Sequence, residues 1–420
     1  MDKKTERAIL AGLNSPAFPP ELAVTDATLD ELEELFSTAG GEVAARVVQN
    51  RQTPEPRTFL GMGKAQELGE QARALGATLI VFDNELSPAQ TRNLEDITGI
   101  RVIDRSTLIL DIFAMRAATR EGKLQVELAQ YKYILPRLTG RGVELSRLGG
   151  GIGTRGPGES KLETDRRHIH RHIAKLREEL DDVRKNRQEQ RRARTKREIP
   201  LVAIVGYTNA GKSTLLNTLT GAEISAQDRL FDTLDPTTRR YQASDTLEVV
   251  LSDTVGFIRK LPHHLIEAFK ATLEELSYAD LLLHVIDASS PEWRAHAEVV
   301  ARIVAELSAG ETPTITVFNK IDRCPDRAEL PRGEDIVCVS ALHGNGLDAL
   351  RQAICRALDR GLYTLRLALP YAQAGLLDLL HREGRVLSVE YEAAHIAVCA
   401  VCNEKLRGRV REFIVEGAEL

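Results

Sequence analysis

Hydrophobic and polar positions divide the chain into four regions of different period. Over residues 1–104, short β-like apolar runs at 43–48, 78–82 and 101–103 alternate with stretches at 29–36, 64–75 and 88–97, where apolar residues recur at helical spacing. This alternation predicts an α/β unit with a mainly parallel sheet. From 108 to 135 the helical period continues alone, and Pro136 ends it. A second long helix is predicted over 159–197, where Ile169, Ile173, Leu176, Leu180 and Val183 form a coiled-coil seam with spacings of four and three. Each helix would run about 45–60 Å, and two long helices joined by one loop pack most simply as an antiparallel hairpin. The loop, 138–158, contains eight glycines. Strand and helix alternate again over 199–362, while 363–420 reads β-α-β-β-α.

The most specific chemistry lies early in the third region. The apolar run 201–205 leads into Gly206-Tyr-Thr-Asn-Ala-Gly-Lys-Ser213, and a helix starts at Thr214. A strand, a glycine turn and a helix in that order make a phosphate-binding loop, with Gly206, Tyr207, Thr208, Asn209, Ala210, Gly211, Lys212, Ser213 and Thr214 around the phosphates. Lys212 reaches the β- and γ-phosphates, and the Ser213 hydroxyl ligates Mg²⁺. The ligand class is a nucleoside triphosphate.

The base is read further along. The run 247–252 ends in Asp253-Thr-Val-Gly256, where Asp253 holds Mg²⁺ through water and the Gly256 N–H senses the γ-phosphate. Thr237, in Asp235-Pro-Thr-Thr, is placed between these elements to close onto Mg²⁺. The strand 314–318 ends in Asn319-Lys320-Ile-Asp322. The Asp322 carboxylate accepts from guanine N1–H and the 2-amino group, whereas adenine leaves it unpaired. Asn319 would bridge base and loop, the Lys320 stem would cover the ring, and the backbone of Ser340-Ala341 would meet guanine O6. Each tetrapeptide alone is weak. In this order, each after an apolar strand, they point to GTP rather than ATP and to a GTPase domain. Lys212, Thr237 and Gly256 are the expected catalytic set.

Many GTPases carry a Gln directly after the Asp-x-x-Gly glycine, and here that residue is Phe257. With no polar atom to orient water, intrinsic hydrolysis should be slow. Help must come from a backbone carbonyl, a monovalent cation or a partner surface. Asn209 resembles the loop asparagine of GTPases that use K⁺; the alternative is that it only satisfies a turn.

Charge changes the picture of the second region. The chain of 420 residues has a net charge of −5, with no run approaching the roughly 18 apolar residues of a membrane span. The charged start and five cysteines suggest a cytoplasmic protein without a disulfide framework. Residues 137–198 hold 18 Lys/Arg against 10 Asp/Glu, a net of +8 that leaves −13 for the remainder. A basic rod on an acidic protein suits a polyphosphate partner. Arg141, Arg147 and Arg155, with one acid among them, Glu144, are candidate RNA contacts at the glycine-rich tip.

The 23 residues from Leu108 to Gln130 closely resemble the first long helix of HflX-family GTPases. So do Gly149-Gly-Gly-Ile-Gly-Thr-Arg-Gly-Pro-Gly-Glu-Ser160, Leu162-Glu-Thr-Asp-Arg-Arg167, Phe231-Asp-Thr-Leu-Asp-Pro-Thr237 and Asp253-Thr-Val-Gly-Phe-Ile-Arg-Lys-Leu-Pro262. The resemblance covers roughly 40–345 well and the two ends loosely, and Asp232 stands where Ala is frequent in the family. It implies a translational GTPase that binds the large ribosomal subunit and its RNA near the peptidyl-transferase centre, splitting stalled or idle ribosomes under stress. The expected architecture is α/β: an N-terminal α/β domain (1–104), a helical hairpin (105–198), a P-loop GTPase domain (199–362) and a small α+β domain (363–420), acting as a monomer. The competing function is a GTP-gated protein-interaction switch; a third is a GTPase coupled to RNA modification through a second cofactor on the N-terminal domain.

Other patterns carry less. Gly151-x-Gly153-x-x-Gly156 lacks a preceding strand, so it is no dinucleotide fingerprint. Gly61-Met-Gly-Lys64 reads better as a turn than as an ATP site. His168 and His172 share a helix face but lack a third metal ligand, and Cys399 and Cys402 lack a second pair. The run 191–197 reads as linker charge or RNA contact rather than as a localisation signal.

Overall fold

The computed structural model describes residues 5–140, 157–195, 199–221, 230–231, 237–244, 247–261, 276–307, 312–324, 330–359 and 362–415. Three sheets organise them. The first is wholly parallel, with β1 (Arg7–Asn14), β2 (Glu42–Asn50), β3 (Leu79–Phe82) and β4 (Arg101–Asp104) in the order β2-β1-β3-β4. Its central strand β1 went unread in the sequence pattern, although Ala8 to Leu13 are buried. Helices α1 (Asp26–Thr38), α2 (Met62–Ala74) and α3 (Pro88–Thr98) complete this unit. Thr25 and Ser87 begin α1 and α3 with reciprocal capping boxes.

The single helix expected over 108–135 is two helices, α4 (Arg105–Arg116) and α5 (Arg120–Ile134). Ala117 turns extended, and the Thr119 hydroxyl accepts from Gly122 N–H to start α5. A capping threonine was the only local signal, since no Gly or Pro marks the break. The long helix Pro157–Thr195 packs on α5 through Leu124 and Leu128 against Ile173, Leu176 and Leu180, with Ile169 and Val183 at the margins. Arg120 donates to Glu179 while Tyr131 stacks on His172, so the pair runs antiparallel. The glycine-rich tip, with Arg141, Arg147 and Arg155, lies outside the described residues, as do Asp232, Asp235 and Pro236.

The second sheet holds β5 (Leu201–Gly206), β6 (Thr237–Ser244), β7 (Leu247–Asp253), β8 (Leu281–Asp287), β9 (Thr314–Asn319) and β10 (Ile336–Cys338) in the order β10-β9-β8-β5-β7-β6. Every pair is parallel except the β6–β7 edge. Parallel strands flanked by helices explain the unbroken apolar run of β5. One apolar cluster joins this sheet to the first unit, including Leu32, Leu35 and Phe113 with Val205, Phe231 and Phe257. The third sheet is antiparallel, β11 (Leu362–Leu369), β13 (Ile396–Asn403) and β12 (Arg385–Tyr391), covered by helices Gly375–Glu383 and Glu404–Val410. Among the described residues no helix is long and apolar enough to cross a membrane.

Candidate nucleotide site

Parallel pairing places the carboxyl ends of β5, β7, β8 and β9 along one edge of the second sheet. Ile204 pairs with Asp253, Gly206 with Val285, and Asp287 with Asn319. The chain order reverses across β5, and ligands bind outside the strand ends at such a switch point.

The loop after β5 is shaped by backbone as much as by side chains. Gly211 has φ +88°, and a Cβ there would stand 2.3 Å from Asn319 Nδ2, so no other residue fits without movement. Asn209 is also left-handed, φ +59°, as asparagine tolerates. The helix Lys212–Thr220 follows at once, and the first turn of a helix is a favourable place for an anion. Lys212 is buried, with Nζ donating to the Tyr207 carbonyl at 2.8 Å. Burial pulls its pKa down to about 8, which nearby Asp253 opposes. A buried ammonium held by a carbonyl favours an incoming anion. The buried Thr208 hydroxyl has no hydrogen-bond partner among the described residues, leaving it able to meet a ligand.

The expected metal set converges. Ser213 Oγ donates to Asp253 Oδ2 at 2.7 Å, and Thr237 is the cross-strand partner of Asp253. Hydroxyl and carboxylate oxygens suit Mg²⁺, which would there neutralise β- and γ-phosphate charge. A Cβ on Gly256 would lie 2.9 Å from Lys212 Nζ, so Gly256 leaves the room that the Lys212 ammonium occupies.

At the base end, Asn319 Nδ2 donates to the Ala210 carbonyl at 2.9 Å, and its Oδ1 accepts from Ala341 N–H at 3.0 Å. Asn319 therefore ties the phosphate loop to the segment 340–341. Ser340 donates to Asp322 Oδ1, which holds this carboxyl below its ordinary pKa. Lys320 pairs with Asp287 at 2.9 Å and donates to Asn209 Oδ1 at 3.5 Å, which lays its stem across the loop. Asp287 was missed in the sequence, although an acid closing the apolar run Leu-Leu-Leu-His-Val-Ile-Asp287 was a legible signal.

The structure adds detail at two positions. The Tyr207 side chain turns away from the lysine, stacking on His296 at 4.0 Å between ring centroids and donating to Glu31. Only its carbonyl serves Lys212. Phe257 is 2% exposed and clamped to the loop, its N–H donating to Gly206 O at 3.2 Å and its carbonyl accepting from Thr208 N–H at 2.7 Å. Its ring lies in the core, so its side chain orients no water.

A strand-ended phosphate loop, a carboxylate–hydroxyl cation set and an Asn-Lys-x-Asp base clamp on one sheet edge make this a P-loop GTPase. Residues 201–320 match the family model described as 50S ribosome-binding GTPase; 26–114 match the GTP-binding GTPase N-terminal model and 116–194 the GTP-binding GTPase Middle Region. GTPase HflX of Caldanaerobacter subterraneus subsp. tengcongensis is 48% identical over 98% of this chain and 94% of its own, and GTPase HflX of Escherichia coli is 49% identical over 81% of each. The chain belongs to the HflX family of GTPases. The first of these relatives carries the likeness well beyond 40–345, into both ends. A solved GTP-binding protein from Sulfolobus solfataricus, in complex with GDP, is 25% identical with a TM-score of 0.44, covering 85% of this chain and 99% of that one.

Proposed function

We propose that this GTPase works on ribosomes. Its basic helical pair and tip engage RNA of the large subunit, and GTP binding and hydrolysis drive the splitting or rescue of stalled or idle particles in the cytoplasm under stress. The observation that carries the reading is charge segregation. The +8 segment 137–198 contains the 39-residue helix Pro157–Thr195, about 58 Å long, whose apolar contacts with α5 fall within 169–183. The match of 201–320 to the 50S ribosome-binding GTPase family supports the same partner. The division at 104/105, 198/199 and 362/363 and a monomeric state belong to this reading, as do slow intrinsic hydrolysis and its stimulation by the ribosome. Ser213, Thr237 and Asp253 hold Mg²⁺; Lys212 and Gly256 meet the γ-phosphate.

Sedimentation with ribosomes and separated subunits tests it. The full chain with a non-hydrolysable GTP analogue is expected to travel with the large subunit; failure to do so overturns the reading. Deleting 141–156 removes Arg141, Arg147 and Arg155 and should weaken association, lowering the log–log salt slope by about 2–3 if each arginine neutralises one phosphate. Binding that persists after the deletion excludes the tip as the contact. Salt-insensitive binding favours the protein-interaction alternative.

Asn209 supports a second proposal, a K⁺ requirement. Its side-chain oxygen lies on the phosphate loop within 3.5 Å of Lys320 Nζ, and Phe257 supplies no polar group. Hydrolysis should be faster in KCl than in NaCl at equal ionic strength, and Asn209→Ala should erase the difference. Equal rates in the two salts remove the cation.

A further inference from the structure

Two histidines of the long helix Pro157–Thr195 meet through their ring nitrogens. His168 and His172 lie one turn apart, and their Nε2 atoms approach to 3.1 Å, with ring centroids 4.7 Å apart and planes at 72°. Residues four apart share one side of a helix, so the sequence spacing builds the contact. Tyr131 of α5 stacks on His172 at 5.5 Å and 11°, beside the seam residues Ile169 and Ile173. His172 is half-buried there, while His168 is exposed. His170, two residues from each, falls on another face.

Two ring nitrogens at this distance hold either a proton or a metal ion between them. The proton alternative is an N–H···N bond beside water, which gains little over hydration of the two rings. The metal alternative fits the geometry without movement. Metal–imidazole bonds of about 2.0–2.1 Å at ligand angles of about 90–109° place two nitrogens about 2.8–3.4 Å apart, and 3.1 Å lies within that span. Imidazole pairs select zinc, nickel and copper, whereas the oxygen set Ser213, Thr237 and Asp253 suits Mg²⁺, so the two places take different ions. Among the described residues no third His, Cys, Asp or Glu joins the pair. Arg166, Arg167, Arg171 and Lys175 flank it in sequence against one acid, Asp165. The remaining coordination positions are therefore open to water or to an anionic oxygen from outside the helix.

We infer that His168 and His172 form a two-histidine site for a borderline divalent transition metal: zinc, nickel or copper. Bound there, the ion bridges one turn of the helix and adds positive charge, with exchangeable coordination positions, to the basic helix. Because both side chains must share one helical face to bind it, the metal stabilises the helical form of this turn. The inference rests on neither the nucleotide site nor a ribosomal partner.

The test uses the full chain with Mg²⁺ and GDP saturating, so that oxygen sites are filled. Zn²⁺ and, separately, Ni²⁺ are titrated calorimetrically into wild type, His168→Asn, His172→Asn and His170→Asn, with thermal unfolding alongside. Thiols also take these ions, so the difference between proteins carries the result. Loss of either ligand should weaken the site by about tenfold or more, since even the outer partners of a metal ligand are worth that much. Wild type and His170→Asn should also gain more in unfolding temperature, at equal metal, than the other two. His168 is exposed, so His168→Asn tests the site without disturbing the stack on Tyr131. Equal stoichiometry and affinity in wild type and His168→Asn overturn the inference and leave the pair a hydrogen bond alone. An equal loss in His170→Asn also overturns it, because any surface histidine would then serve.

Discussion

Replacing Asp322 by Asn is expected to weaken GTP binding by on the order of 10⁴-fold and to create binding of xanthosine triphosphate, because a site built to pair a polar group rejects the base that leaves it unpaired. The Asp322 side chain sits at the carboxyl end of β9 and accepts a hydrogen bond from Ser340 Oγ, which keeps it ionised through the neutral range. An ionised carboxylate only accepts, and the N1–H and 2-amino group of guanine only donate. Asparagine offers one acceptor and one donor, so its NH₂ would face the guanine 2-amino group. Xanthine carries a carbonyl at that position and pairs with it. Competition binding with GTP, ATP and xanthosine triphosphate measures the exchange. Because Asn319 holds the loop independently through Ala210 and Ala341, the variant should keep its fold and phosphate grip. Undiminished GTP binding would sink the assignment of Asp322.

The parts of this site legible in the sequence are those in which one short segment carries its own chemistry. Gly211, Lys212 and Ser213 must be adjacent for a loop to wrap phosphate, and Asn319, Lys320 and Asp322 act from a single strand end. The ionic cluster between the N-terminal unit and the segment after Gly256 has no such local mark. Glu31, Asp83, Arg105 and Lys260 come from four separate segments and read one by one as surface charge; only tertiary packing shows the first three buried together around the Lys260 side chain. The same limit explains the helix break after Arg116. Ala117 and Ala118 are good helix formers, so the pattern continued where the packed chain turned. Strand β1 was legible in principle, as an apolar run in residues 8–13 bounded by Arg7 and Asn14.

Lys212→Met is expected to slow hydrolysis by about 10²–10³-fold, the usual cost of losing one charge-stabilising donor in a dry site. A second signature separates this from simple damage. In the ligand-free chain burial sets the Lys212 pKa near 8, against 10.5 for an exposed lysine. The unfolded chain thus binds a proton that the folded chain gives up between about pH 8 and 10.5. Stability rises with pH across that window, and below pH 8 the full penalty, a few kcal/mol, is present. Triphosphate oxygens reverse this by favouring the ammonium, so binding above pH 8 takes up a proton. Affinity of the wild-type chain for GTP should fall about tenfold between pH 7 and pH 9 through this residue alone. Ionisation of the guanine base adds its own pH dependence, which Lys212→Met retains, so the difference between the two proteins isolates the lysine. The ligand-free variant should also unfold at a higher temperature than wild type at pH 7, and saturating GDP should narrow the gap. A wild-type profile that parallels the variant from pH 7 to 9 would mean that Lys212 is already charged in the empty site, and that the carbonyl of Tyr207 suffices to hold its proton.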